Sequence, residues 1–371
     1  MSYNSGLDLI LCPSCYQGKI VHQGHEIACM NCHVSFSLLE NNIPILLKDK
    51  KSWLQNSYAA LLEQLDEIDR LILDLQEAIT KSDTLRSMTL SKWLKAAKGN
   101  QKIYASFLKS FEGLMKTDLQ RKISRKDTKN LLDYHDSENI FNYLRRDWSG
   151  SETTEKELKF IEDRVFTLIK KHCQNSKNAV VLGAGMGRFA QDVSVYFERT
   201  LAVELSFMMA VLYQSLKTKD LIFYDHKTRN SMNTEAQFKQ YTASMKLLGS
   251  QVVSKNHLDY IVADSQRLPL PSQSVSTVIS IYFTDVLPIE DLWREISRVL
   301  KPGGVFIHFG PLSYHFSSLV SHYSADDLRK YLENKKVKIL DESWDNHSYL
   351  KYSETLYSSL YRNWSFAAIL P

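Results

Sequence analysis

The run Val180-Val-Leu-Gly-Ala-Gly-Met-Gly-Arg188 leads an apolar stretch into three glycines, Gly183, Gly185 and Gly187. A helical pattern over 189–197 follows it. Strand, tight turn and helix N-terminus form the arrangement that cradles a nucleoside cofactor. A dinucleotide fingerprint would place its third glycine at 188, where Arg188 stands instead. The G-x-G-x-G spacing suits S-adenosylmethionine (SAM), which has no pyrophosphate to bind. Glu204 follows Gly183 by twenty-one residues and ends the next apolar run. A carboxylate there can accept from both ribose hydroxyls. Asp264 ends a further run and is placed to accept from the adenine amino group, and Leu300-Lys-Pro-Gly-Gly304 forms a turn before a late strand. A strand-end acid alone is often only a helix cap. Together and in this order, the four features select SAM.

Four of the five cysteines form the pairs Cys12-Pro-Ser-Cys15 and Cys29-Met-Asn-Cys32, with thirteen residues between them. Two C-x-x-C knuckles set four thiolates around a tetrahedral zinc, closed to substrate and therefore structural. So short a segment has too little core to hold itself together, so metal supplies the folding energy. Disulfides are the competing reading and do not suit a cytosolic chain. His22, His25 and His33 lie nearby and are expected at the surface; Cys173 stands alone and is expected to be buried.

These groups need a scaffold. The chain has 371 residues, with 44% hydrophobic and 24% charged, an ordinary globular balance with room for two or three domains. Its apolar runs are too short to span a membrane, and its N-terminus reads as lacking a secretory signal, so the expected location is cytoplasmic. A net charge of +4 demands no polyanionic partner. Residues 81–130 do hold 13 Lys/Arg against 4 Asp/Glu, a basic helical face that could touch RNA and more simply is solvated.

Residues 1–50 read as the zinc ribbon, 51–145 as a helical region and 146–371 as an α/β domain with an insertion at about 217–257. In the helical region Tyr58, Leu61, Leu65, Ile68, Ile72, Leu75 and Ile79 repeat at steps of three and four. This seam predicts packing within the chain, with a homodimer coiled coil as the alternative. Gly99-Asn100 reads as a helix break. Beyond 160, strands are expected at 179–182, 200–203, 258–263, 275–282, 305–309, 337–340 and 364–370, alternating with helices as a parallel sheet requires. The predicted fold class is α/β, a Rossmann-like seven-stranded methyltransferase domain.

Two resemblances extend this reading. Leu-Cys-Pro-Ser-Cys, Cys-Met-Asn-Cys and Asn42-Ile-Pro-Ile-Leu-Leu47 resemble the Trm112-like zinc ribbons, small scaffolds that bind or are fused to methyltransferases. Tyr143-Leu-Arg-Arg-Asp-Trp-Ser149, the glycine loop, Glu204-Leu-Ser-Phe207, Tyr282-Phe-Thr-Asp285 and Gly310-Pro-Leu-Ser-Tyr-His-Phe316 resemble, in this order, the carnosine N-methyltransferase family. That resemblance implies methyl transfer from SAM to an imidazole nitrogen of a histidine-containing small molecule or peptide. It implies that Arg146 holds the SAM carboxylate, with Trp148, Gly183, Gly185, Gly187, Arg188, Glu204 and Asp264 completing the cofactor site. Asp285 and His315 match its imidazole-binding positions, and Tyr361 matches one of its pocket tyrosines. The stretch before the last strand, Tyr361-Arg-Asn-Trp364, carries fewer tyrosines than its relatives.

The chemistry is consistent with these roles. Imidazole has a pKa near 6.5, so at neutral pH its lone pair is free and needs orientation more than activation. Asp285 can accept from one ring N–H and aim the other nitrogen at the methyl group, while His315 orients the ring or takes a proton. The bland alternatives are a helix N-cap before Pro288 for Asp285 and a satisfied pocket histidine for His315. Two other functions compete: a ribbon-bearing RNA methyltransferase, and a non-catalytic SAM-binding scaffold.

Overall fold

The computed structural model describes residues 9–23, 26–40, 42–115, 140–173, 177–227, 229–248, 257–352 and 354–371. The basic stretch beyond residue 115 and the end of the insertion, 249–256, lie outside them.

The ribbon comprises an antiparallel sheet of β1 (Ile20–Gln23), β2 (Glu26–Cys29) and β3 (Ser35–Phe36), followed by the pair β4 (Leu38–Leu39) and β5 (Ile43–Pro44). Helices α1 (Lys50–Lys81) and α2 (Thr84–Met115) then form a hairpin. The heptad seam closes within the chain: Leu61, Ile72 and Leu75 are buried, and Ile72 and Leu75 share a cluster with Leu90 and Ala97 of α2. That packing uses the apolar stripe that a dimer would need.

Gly99-Asn100 does not break α2. A Cβ on Gly99 would sit 2.4 Å from the Tyr224 ring. The Asn100 amide meanwhile donates to the Tyr224 carbonyl (2.7 Å) and accepts from its N–H (2.9 Å). The two residues are the docking point for the insertion, which contains a hairpin of β8 (Leu221–His226) and β9 (Phe238–Ala243).

The α/β domain begins with α3 (Ile140–Trp148) and α4 (Glu152–His172). Its sheet uses β6 (Asn178–Leu182), β7 (Arg199–Glu204), β10 (His257–Val262), β11 (Val275–Ile281), β12 (Leu300–Gly310), β13 (Lys338–Tyr349) and β14 (Ser359–Ile369). The order is β10-β7-β6-β11-β12-β14-β13, parallel except for β14, which runs antiparallel between β12 and β13. β6 is apolar on both sides because both are covered. Val181, Ile279 and Ile307 join the core beneath α4, α5 (Arg188–Val193) and α6 (Phe207–Thr218). Val180, Val278 and Phe306 join a second core with α7 (Ile289–Val299), α8 (Ala325–Asn334) and the ribbon's Ile10, Ile20 and Ile27. The seven-stranded Rossmann-like reading holds. The helix expected over 189–197 is shorter: α5 ends at Val193 and a 3-10 turn at Ser194–Tyr196 follows. Strand order reverses beside β6, and a crevice at the strand C-termini of such a switch point is where α/β sheets bind ligands.

Candidate active site and zinc centre

After β6 the backbone turns through Gly183, Gly185 and Gly187 at φ of 57°, 54° and 78°. A Cβ on Gly183 would meet the Phe283 ring at 2.1 Å, and one on Gly187 the Tyr213 ring at 2.5 Å, whereas one on Gly185 would meet nothing within 4 Å. The outer two glycines therefore let the loop pack, and the middle one faces open space where a ligand can approach. Gly183→Ala should be severe, because it combines a left-handed backbone with a clash against the segment that carries Asp285. A loss of roughly 1–3 kcal/mol of stability is expected, together with weakened SAM binding, read by melting and calorimetry.

Glu204 and Asp264 are the two acids that the sequence motifs assign to a cofactor. Glu204, at the end of β7, accepts from the Gly185 N–H (2.7 Å) and from the N–H groups of Leu205 and Ser206 (both 2.8 Å). Its carboxylate is thus fixed between the loop and the start of α6. Asp264 accepts from the Gln266 N–H at 2.8 Å, and burial pushes its carboxyl above the usual range.

Trp148 and Arg188 lie behind the loop. The fully buried Trp148 indole donates to the Met186 carbonyl (3.1 Å), and Arg188 donates to the Asp147 carbonyl (2.9 Å) and to Asp192 (2.7 Å). Both act as positioning residues that clamp the Arg-Asp-Trp segment to the glycine turn. Arg146 is buried and donates to Asp147 at 2.6 Å, with the rings of Tyr143, Phe189 and Tyr282 within 6.0 Å of its guanidinium. Burial works against its charge, but the adjoining Asp147 carboxylate more than restores it.

Asp285 lies beyond β11 and is 2% exposed. It is not a helix cap: α7 is capped by Pro288 without a side-chain bond, and the Asp285 carboxylate accepts instead from the Ser313 N–H at 2.9 Å. Its carbonyl accepts from the His315 N–H at 3.0 Å, which ties the strand-end turn to the segment after β12. Burial raises the carboxyl's pKa, opposed by the Ser313 bond and by His315. His315 is exposed at the rim. Burial, with Tyr143 and then the Asp285 charge, raises the pKa of Tyr361, whose ring stacks on Tyr349 with centroids 4.6 Å apart.

The sequence showed few tyrosines at this point, but the fold supplies them from elsewhere. Tyr349 of β13 donates to the Tyr143 hydroxyl of α3 (3.3 Å), and its ring lies 4.9 Å from that of Tyr282. Tyr282 itself holds a positive φ of 55°. With Tyr361 these rings form an aromatic wall beside Asp285 that was not legible as a cluster, because its members are distant in the chain.

The family model for carnosine N-methyltransferase matches residues 123–371. This chain belongs to the carnosine N-methyltransferase family. It is 26% identical over 250 residues to the carnosine N-methyltransferase of Dictyostelium discoideum, covering 61% of this chain and 52% of that one. It is 25% identical over 193 residues to that of Rattus norvegicus, covering 49% and 48%. The chain thus spans about half the length of the curated relatives it matches. Among solved structures, magnesium protoporphyrin IX methyltransferase from Synechocystis PCC 6803 with bound SAM is similar at 14% identity. That similarity covers 64% of this chain and 94% of the other, with a TM-score of 0.42.

The family match leaves the ribbon outside it. There the sulfur atoms of Cys12, Cys15, Cys29 and Cys32 all lie within 4.8 Å of one another, with Cys12–Cys32 at 3.6 Å and Cys15–Cys29 at 3.7 Å. A tetrahedron with Zn–S bonds of about 2.3 Å has edges of about 3.8 Å, so the donor set fits zinc. Backbone N–H groups of Ser14 and Asn31 point at Cys12 and Cys29 (both 3.3 Å), as in thiolate knuckles. His22 and His33 are exposed, Cys173 is buried, and His25 lies outside the described residues.

The ribbon is joined to the cofactor side of the sheet. Ile45 bridges Val262 in parallel, and the Leu46 N–H donates to the Val262 carbonyl (2.7 Å). Leu11 N–H donates to Pro269 (2.9 Å), and the Tyr16 hydroxyl to the Arg267 carbonyl (3.1 Å). These contacts bracket the segment that carries Asp264. Among the described residues no helix is long and apolar enough to cross a membrane.

Proposed function

We propose that this chain transfers a methyl group from SAM to an imidazole nitrogen of a histidine-containing small molecule or peptide. The observation that carries the reading is Asp285: a buried carboxylate, held by the Ser313 N–H, beside an aromatic wall and next to the glycine turn. Family membership supports it, and carnosine is the acceptor that the relatives' names give.

The residues present are compatible with SAM: Gly185 leaves room, and we assign Glu204 to the ribose, Asp264 to the adenine and Arg146 to the amino-acid carboxylate. When bound, SAM supplies an electrophilic methyl group on a sulfonium. The aromatic wall holds the acceptor ring flat. Asp285 accepts from one ring N–H, which fixes the tautomer and leaves the other nitrogen's lone pair aimed at the methyl carbon. A nitrogen–carbon bond forms as the sulfur–carbon bond breaks. The ring becomes cationic, the carboxylate stabilises it, and the ring proton passes to Asp285 or His315. Burial raises the pKa of Asp285, which makes it a better base for this step. The four thiolates of the ribbon hold a structural zinc.

The test is product NMR with methyl-13C SAM and β-alanyl-histidine. Methyl protons that correlate with the ring carbons are expected. A methyl found on the amine or carboxylate would contradict the role given to Asp285.

A further inference from the structure

Asn363 lies on β14 two residues beyond Tyr361 and therefore on the same face. It is 1% exposed, and neither its Oδ1 nor its Nδ2 has a hydrogen-bond partner among the described residues. The Tyr282 hydroxyl next to it is likewise sealed and unpartnered. The two are near enough for the amide to favour the phenolate, but they form no hydrogen bond. Buried polar groups are almost always paired, so exceptions mark places where a ligand, an ion or water belongs. These exceptions stand inside the proposed acceptor site, against the ring that flanks Tyr349.

The donor set narrows the ligand. Asn363 offers both an acceptor and donors, and Tyr282 offers either. A carboxylate would satisfy the donors but leave Oδ1 facing like charge. A ring N–H would satisfy Oδ1 alone. A peptide or carboxamide group carries a carbonyl and an N–H side by side and satisfies both ends of Asn363 at once. Tyr361, on the same face, is half-exposed whereas Asn363 is sealed, so a neighbouring side chain must move for an acceptor to reach the amide.

We propose that Asn363, with the Tyr282 hydroxyl, is a specificity-determining residue that reads an amide group on the methyl acceptor. The inference rests on the imidazole reading above. The test compares two acceptors that share the ring and the carboxylate and differ in the amide: N-acetylhistidine and imidazole-4-propionate. For the full chain, kcat/KM should favour N-acetylhistidine, because an unmet buried pair penalises the analogue that lacks the partner. In Asn363→Val that preference should collapse by roughly tenfold or more, with SAM affinity retained. Asn363→Ser should fall between the two, and it carries the test if the valine variant loses SAM binding. If the full chain methylates both acceptors and the preference is absent, or survives in Asn363→Val, Asn363 holds only water and the proposal is overturned. If neither acceptor is methylated while β-alanyl-histidine is, the amide reading is overturned; if β-alanyl-histidine is also untouched, the imidazole reading itself fails and this inference fails with it.

Discussion

Asp285→Asn should leave a protein that binds SAM, melts at a higher temperature than the parent at neutral pH, and has lost about 10³-fold in kcat. The activity loss follows from chemistry: an amide cannot take the ring proton or balance the charge that develops on the ring. The stability gain follows from linkage. Burial raises the pKa of the Asp285 carboxyl above its unfolded value. Between those two pKa values the folded state binds more protons, so stability falls as pH rises through the folded pKa. At neutral pH the buried charge therefore costs stability, and the neutral amide, still able to accept from the Ser313 N–H, removes that cost. The difference in melting temperature should vanish in acid, where both side chains are neutral. A variant that is inactive but less stable at neutral pH would mean that Asp285 holds the fold rather than the acceptor. Retained activity would remove it from the mechanism.

The second large effect concerns the ribbon. Metal analysis should find one zinc per chain, and removing it by chelation, or replacing Cys29 with serine, should unfold residues 9–47. Structural zinc contributes on the order of 10 kcal/mol to such segments. The loss should not stay local. Ile10, Ile20 and Ile27 share a core with Val203 and Ile261 of the main sheet, and the Leu46 N–H is bonded to Val262, two residues before Asp264. Without the ribbon the adenine-side segment loses its cover and the sheet gains a bare edge. We therefore expect a lower melting temperature and weaker SAM binding together, both restored by zinc in the chelated parent but not in Cys29→Ser. Unchanged melting and SAM affinity in zinc-free protein would show that the ribbon is an independent appendage.

What could be read from the chain alone followed from locality. The glycine turn, the strand-end acids Glu204 and Asp264 and the cysteine knuckles are short-range patterns; the turn and the acids lie at the C-terminal ends of β6, β7 and β10, and the four sulfur atoms lie together. The heptad seam was legible as a seam, and its partner proved to be α2. Gly99-Asn100 misled because glycine and asparagine have two uses. They can end a helix, or they can clear space for a neighbour, and only the Tyr224 ring 125 positions away decides which. The aromatic wall was hidden for the same reason: Tyr143, Tyr282, Tyr349 and Tyr361 come from α3, the turn after β11, β13 and β14. Trp148 and Arg188 carried the motif, and their side chains bond the Met186 and Asp147 carbonyls, partners that spacing does not encode.

The most direct test of the central claim is SAM turnover by the full chain against a panel of acceptors, with the product detected by mass. The panel comprises β-alanyl-histidine, free histidine, a histidine-containing peptide and total RNA. Methylation of one or more imidazole compounds, lost in Asp285→Asn, is the expected result. Methylation of RNA alone, with every imidazole compound untouched, would contradict it.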